Sequence, residues 1–203
     1  INVTSAPPGQ LCSASAASGS SINADVSNVV VSCTTVVVDV NPPSLPSATF
    51  GNAYSQTLTA SSANGAVGPY SYTVSAGVLP SGTALSPAGV ISGTPNAANI
   101  FNFSIQATSS NGFAGQRAYT VNVLRASQTI TNMAASPASP VFSQGGSFTV
   151  SASGGASGSP VVFSVAPASA AVCVASGPNG TTIQMLASGA CQLLANQAGN
   201  ANY

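Results

Sequence analysis

The sequence contains no His and no Trp, and its only charged side chains are Asp25, Asp39, Arg117 and Arg125, so Glu and Lys are missing too. Charged residues are 2% of the 203, where an ordinary soluble domain carries about 25%. Each absence excludes a class of function. Without His, Glu or Lys, proton transfer near neutral pH has almost no side chains to use, and a nucleophilic Ser has no base partner. Two Arg cannot neutralise a run of phosphates, which argues against nucleic acid and anionic membrane surfaces. Two well-separated Asp supply neither the oxygen cage of a hard cation nor the facing carboxylates of a glycosidase. Long apolar runs are absent as well, because Gly 20 and Pro 14 interrupt them, so no membrane insertion is expected. The inventory predicts a chain that is not an enzyme and carries no cofactor.

What remains is a 44% hydrophobic chain rich in Ser, Thr and Ala. Apolar residues do not recur at helical spacing between caps, whereas strand signals are dense. Val29 to Val31, Val36 to Val40, Ser55 to Ala60, Tyr70 to Ser75, Phe101 to Thr108, Arg117 to Leu124, Gly146 to Ala152, Val161 to Val165, Thr181 to Leu186 and Cys191 to Asn196 read as short strands. In Tyr119-Thr120-Val121-Asn122-Val123 the apolar residues fall on one face, the pattern of a sheet with one packed and one wet side. Asn64-Gly65, Asn111-Gly112 and Asn179-Gly180 supply the dipeptides that tight hairpins prefer. The fold class is therefore all-β, with short antiparallel strands arranged as β-sandwiches.

The four cysteines form two local pairs, Cys12 with Cys33 and Cys173 with Cys191. Zinc ligation favours short Cys-x-x-Cys steps, which the spacing lacks, so two disulfides and an oxidising compartment are expected. A loop of about 20 residues closed this way gains roughly 3 kcal/mol. Punctuation at Asn41-Pro42-Pro43-Ser44-Leu45-Pro46 and at Arg125-Ala126-Ser127 divides the chain into 1–37, 38–124 and 125–203.

The middle segment carries an ordered series of motifs: Phe50-Gly51-Asn52-Ala53-Tyr54-Ser55-Gln56-Thr57-Leu58, Leu79-Pro80-Ser81-Gly82, and Leu85-Ser86-Pro87-Ala88-Gly89-Val90-Ile91-Ser92-Gly93-Thr94-Pro95. It resembles the immunoglobulin-like, cadherin-like repeats found in tandem in large bacterial surface proteins. The last segment, with Gly145-Gly146-Ser147-Phe148-Thr149-Val150 and Gln197-Ala198-Gly199-Asn200-Ala201-Asn202-Tyr203, looks like another such repeat, and the first looks like the C-terminal part of a third. The resemblance implies an elongated array of tandem Ig-like domains, incomplete at the first domain and short of the last strand at the end. Such a chain is either cut from a longer polypeptide or completed by strand addition from neighbouring copies. It also implies a structural segment of a bacterial cell-surface protein, an extracellular adhesin stalk or filament. Its partners would be further Ig-like domains of the same or identical chains. A carbohydrate- or protein-binding module, or an accessory domain of a secreted hydrolase, is the alternative. Where relatives often read Thr-Asp-Ser-Asn-Gly, this chain has Thr108-Ser109-Ser110-Asn111-Gly112, so the carboxylate that can serve calcium is missing.

Among candidate sites, Tyr70 and Tyr72 share one strand face and would form a stacking platform for a surface glycan, with core packing as the competing assignment. Asp25 and Asp39 read as surface or junction hydrogen-bonding groups, Arg117 as an apolar stem over strand surface, and Arg125 as a junction residue. Asn2-Val3-Thr4, Asn102-Phe103-Ser104 and Asn179-Gly180-Thr181 match the glycosylation sequon, a pattern that arises readily in such a composition.

Overall fold

A computed structural model describes residues 3–15 and 29–203; the readings of Asp25 and of the sequon at Asn2 lie outside the described residues. Two compact units result, residues 1–124 and 125–203.

The first unit opens with a hairpin of β1 (Gln10–Ala14) and β2 (Val31–Thr35), paired only with each other. Nine further strands follow: β3 (Asp39–Asn41), β4 (Ala48–Thr49), β5 (Tyr54–Thr57), β6 (Thr59–Ser61), β7 (Tyr70–Gly77), β8 (Thr83–Leu85), β9 (Val90–Gly93), β10 (Ile100–Ser109) and β11 (Ala114–Leu124). One sheet runs in the order β4-β11-β10-β7, and β5-β9-β8 and β3-β6 supply the opposing strands. Strict alternation makes the core. Phe101, Phe103, Ile105 and Ala107 of β10 and Tyr119, Val121 and Val123 of β11 are buried, whereas Asn102, Thr120 and Asn122 between them are exposed. The antiparallel register sets Phe103 opposite Tyr119, with ring centroids 5.9 Å apart. Ile91, Tyr54 and Leu58 join the same cluster. Burying such side chains is worth roughly 1.5–3 kcal/mol each, the main term holding the layers together.

Two glycines are needed where backbones approach closely. A Cβ at Gly115 would collide with the Val38 carbonyl, so glycine lets the segment entering β3 lie against β11. Gly77, at φ 72° opposite Phe103, sits beside the register shift at Ser104/Ile105, and a Cβ there would strike the Asn102 carbonyl.

The second unit contains β12 (Thr131–Ser136), β13 (Ser147–Ser153), β14 (Val161–Val165), β15 (Cys173–Ser176), β16 (Thr182–Met185) and β17 (Leu193–Gln197). Its sheets are β12-β13-β16-β15 and the two-stranded β14-β17. Phe148, Val150, Phe163, Cys173 and Ile183 form the core.

The all-β expectation holds. Asn111-Gly112 makes the β10–β11 turn, and Asn179-Gly180, both at positive φ, makes the β15–β16 turn. Asn64-Gly65 does not close a hairpin, because β6 pairs with β3 and β7 with β10, so the chain between them crosses from sheet to sheet. The long expected strand Val36 to Val40 contracts to β3, and β1, β8, β9, β12 and β15 appear where no strand was expected.

Candidate functional site

Both expected disulfides are present. Cys12 and Cys33 face each other directly in the β1–β2 register, with Cα atoms 4.0 Å apart, and every residue of β2 is exposed. Cys173, only 1% exposed, opens β15, and Cys191 lies just before β17, so the second bridge joins the two sheets across the core. Buried Ser169 holds that crossing in place. Its hydroxyl donates to the Ala190 carbonyl at 3.1 Å and accepts the Gln192 N–H at 3.0 Å. Nothing in the sequence singles Ser169 out except the Pro167-Ala168-Ser169 turn in which it lies.

A second constellation, not foreseen from the sequence, fastens the hairpin to the sandwich in the first unit. The Val37 N–H donates to Asn64 Oδ1 at 3.1 Å, and Asn64 Nδ2 donates to the Thr35 carbonyl at 2.5 Å. One amide thus meets both needs of the segment leaving β2. Asn111, in the β10–β11 turn, does the same for the neighbouring loop: it accepts the Val67 N–H at 3.0 Å and donates to the Gly65 carbonyl at 2.8 Å. Buried Ser109, where relatives often carry the Asp, accepts the Phe113 N–H and donates to Asn111 Oδ1 at 2.8 Å. Neutral side chains therefore carry the bonding of this loop cluster.

Tyr72 is buried in the core and Tyr70 packs against it, so both rings are committed to the interior and neither is offered as a stacking platform. Arg117 donates through Nε to the Val40 carbonyl, a bond to backbone in place of the expected apolar coverage alone. Asp39 is exposed on β3. Asn102 accepts a hydrogen bond from Thr120 Oγ1 on the outer sheet face, and Asn179 occupies the β15–β16 turn. Among the described residues no three His, Cys, Asp or Glu come together.

Burial raises the Tyr54, Tyr72 and Tyr119 phenols above their ordinary value of 10.0. Neighbouring Tyr70 adds to the effect at Tyr72, and Arg117 opposes it at Tyr119. The Tyr54 hydroxyl donates to the Pro46 carbonyl at 3.0 Å and that of Tyr119 to the Pro42 carbonyl at 2.8 Å. Both bonds tether the Pro-rich segment that enters the sandwich.

The second unit has an open flank. A cavity of about 400 Å³ lies beside β17, lined by Phe142, Phe148, Cys173, Met185, Cys191 and Leu193. A smaller hollow of about 180 Å³ shares Ala135 and Leu193 with it and reaches Met133, Val150 and Phe163. Leu193 and Ala195 point to the core side of β17 yet stay only half-buried.

The sheets, the alternating cores and the disulfides define an all-β protein with Ig-like architecture. More particularly, residues 34–124 match the family model described as "Putative Ig domain", and the motifs between Phe50 and Pro95 lie within that match. The resemblance to Ig-like, cadherin-like repeats therefore stands. No curated protein matches the chain. Among solved structures, mouse cadherin-23 EC22-24 is similar at 16% identity and TM-score 0.42, covering 75% of this chain and 55% of that one. A protocadherin gammaB7 EC3-6 cis-dimer structure is similar at 12% identity and TM-score 0.43, covering 84% and 52%. A "putative alpha-galactosidase" from Bacteroides fragilis is similar at 16% identity and TM-score 0.35, over 42% of this chain and 17% of that one. The chain thus spans 17% to 55% of the length of these structures, and at such scores they carry no argument about its activity. No helix among the described residues is long and apolar enough to cross a membrane.

Proposed function

We propose that the chain is a non-enzymatic structural segment of a bacterial cell-surface protein, an extracellular adhesin stalk or filament built from Ig-like domains joined end to end. The observation that carries this reading is how the first sandwich begins and ends. β4 pairs in parallel with the C-terminal end of β11, at Val123 and Leu124, and the Phe50 N–H adds a bond to the Leu124 carbonyl at 2.9 Å. Tension applied at the two ends of such a unit slides these parallel strands past each other. Their hydrogen bonds then load together instead of opening one after another.

Two further features support the reading. Disulfides fit an oxidising compartment outside the cell. The near-absence of charge lets identical surfaces crowd together with little repulsion and little response to salt. Closing 18 residues between Cys173 and Cys191 also limits how far the second unit unravels.

Stretching single chains of residues 1–203 between two surfaces tests the proposal. Distinct force peaks are expected, and reduction should lengthen the extension of the second unit by roughly 60 Å, the span of about 18 extended residues. Smooth extension without peaks would remove the mechanical role.

A further inference from the structure

The two units differ at the strand that holds each core together. In the first, β10 is paired on both sides, with β7 and with β11. In the second, β17 is paired only with β14. The missing neighbour corresponds to β11, whose Tyr119, Val121 and Val123 seal the first core. Where those side chains would lie, the second unit has the apolar cavity of Phe142, Phe148, Met185 and Leu193. The open flank therefore combines a row of unpaired backbone groups with an apolar groove. Only an extended strand with alternating apolar side chains satisfies both, because the edge demands main-chain hydrogen bonds and the groove demands hydrophobic contacts.

The same chain displays a strand of that kind. β2 matches β17 in length, is paired on one edge alone, and is exposed along its whole span. Val30 and Val31 are 63% and 54% exposed, an unusual placement for consecutive Val in a strand. Neither strand carries a charge, so nothing repels a pairing between them.

Resting on the shaft reading, we propose that the free edge of β17 and its groove accept β2 of a second copy, with apolar side chains at Val29 and Val31 entering the groove. Donor and acceptor are different surfaces of one chain, so the contact does not close on itself. Each added copy leaves one β2 and one β17 open, and growth is head-to-tail.

Sedimentation velocity of residues 1–203 over a wide concentration range tests this directly. An open series of species that lengthens with concentration is expected. Thr34 and Asn196 are exposed on β2 and β17. Carrying T34K and N196K together should weaken association at least tenfold through like charges on paired strands, and T34D with N196K should restore it. T120K, on the outer face of the first unit, should leave association unchanged. A peptide spanning Val29–Thr35 with Cys33→Ser should cap growth, and it tests the groove without altering the protein. A monomer at every concentration, a series that stops at a dimer, or assembly indifferent to T34K/N196K and to the peptide overturns the proposal. A monomer that still shows force peaks would leave the shaft reading standing while removing this one.

Discussion

The first unit surrounds its central strand and the second leaves its own uncovered, and burial follows. Ile105 on β10 is 0% exposed, while Leu193 at the corresponding core-facing edge of β17 lines an open cavity. A disulfide crosses the second core, whereas the first sandwich has none between its layers and keeps its bridge on the hairpin. Packing closes one unit and a covalent link holds the other. The same surface neutrality thus coexists with two different ways of stabilising a sandwich.

The sharpest way to break this contrast is to truncate the core side chain in each unit. Ile105→Ala should cost about 4 kcal/mol, within the range for deleting a fully enclosed aliphatic side chain. Leu193→Ala should cost about 2 kcal/mol or less, because a half-open site loses fewer contacts and water already reaches its wall. Hydrogen-exchange mass spectrometry, read separately over 38–124 and 125–203, measures both. Equal losses would mean that the flank beside β17 is closed in solution.

Next in size come the bridges. Replacing Cys173 and Cys191 by Ala should destabilise the second unit by about 3 kcal/mol. The same change at Cys12 and Cys33 should leave exchange over β3–β11 unaltered and speed it only in the hairpin. Mild reductant should also open the exposed Cys12–Cys33 bridge well before the buried Cys173–Cys191 bridge, since attack requires access to a sulfur. Timed alkylation followed by mass analysis reads the order. Reversal would place the cavity, and not exposure, in control of access.

These contrasts show what the sequence made legible. Strands whose side chains alternate strictly, such as Phe101-Asn102-Phe103-Ser104-Ile105 and Tyr119 to Val123, are plain in the letters because one face suffers a clear hydrophobic penalty for turning outward. β12, reading Thr-Asn-Met-Ala-Ala-Ser, escapes because small and polar residues suit either face and its register shifts midway. β8 and β9 are too short to build a period. The cysteine pairing is legible from spacing. The open flank is not visible residue by residue, because it arises from a neighbour that β17 lacks. Asn64 reads as a turn residue from its Asn-Gly dipeptide, and the turn chemistry loses to a long-range demand: the Thr35 carbonyl and Val37 N–H need partners, and the amide supplies both.

That demand yields a smaller expected effect. Asn64→Ala should cost about 1–2 kcal/mol, the loss of two hydrogen bonds to backbone. The loss should appear as faster exchange over β1, β2 and the residues around Val37, with β10 and β11 unmoved. Asn64→Asp keeps an acceptor for Val37 but no donor for Thr35, so it should recover only part of the effect. A uniform loss across the first unit would instead make Asn64 part of the sandwich core.

The smallest effect expected is the response to pH. With no His, Lys or Glu and with two Asp as the only side-chain carboxylates, no side chain has an ordinary pKa between about 5 and 9, so thermal stability should be flat across that range. Above it the buried phenols decide. Burial raises Tyr54, Tyr72 and Tyr119 in the folded protein, whereas in the unfolded chain they titrate near 10.0. The unfolded state therefore releases its protons first, and the stability these residues contribute, complete below pH 10, is lost as pH climbs past it toward the folded values. All three lie in the first unit, so alkaline loss should begin there and spare the second. Tyr119→Phe should cost about 1 kcal/mol at pH 7 for the bond to Pro42, and it should make the alkaline decline shallower. Thermal melts at pH 7 and pH 11, compared between parent and variant, measure both. An unchanged alkaline slope would show that Tyr119 ionises no later in the fold than in the open chain.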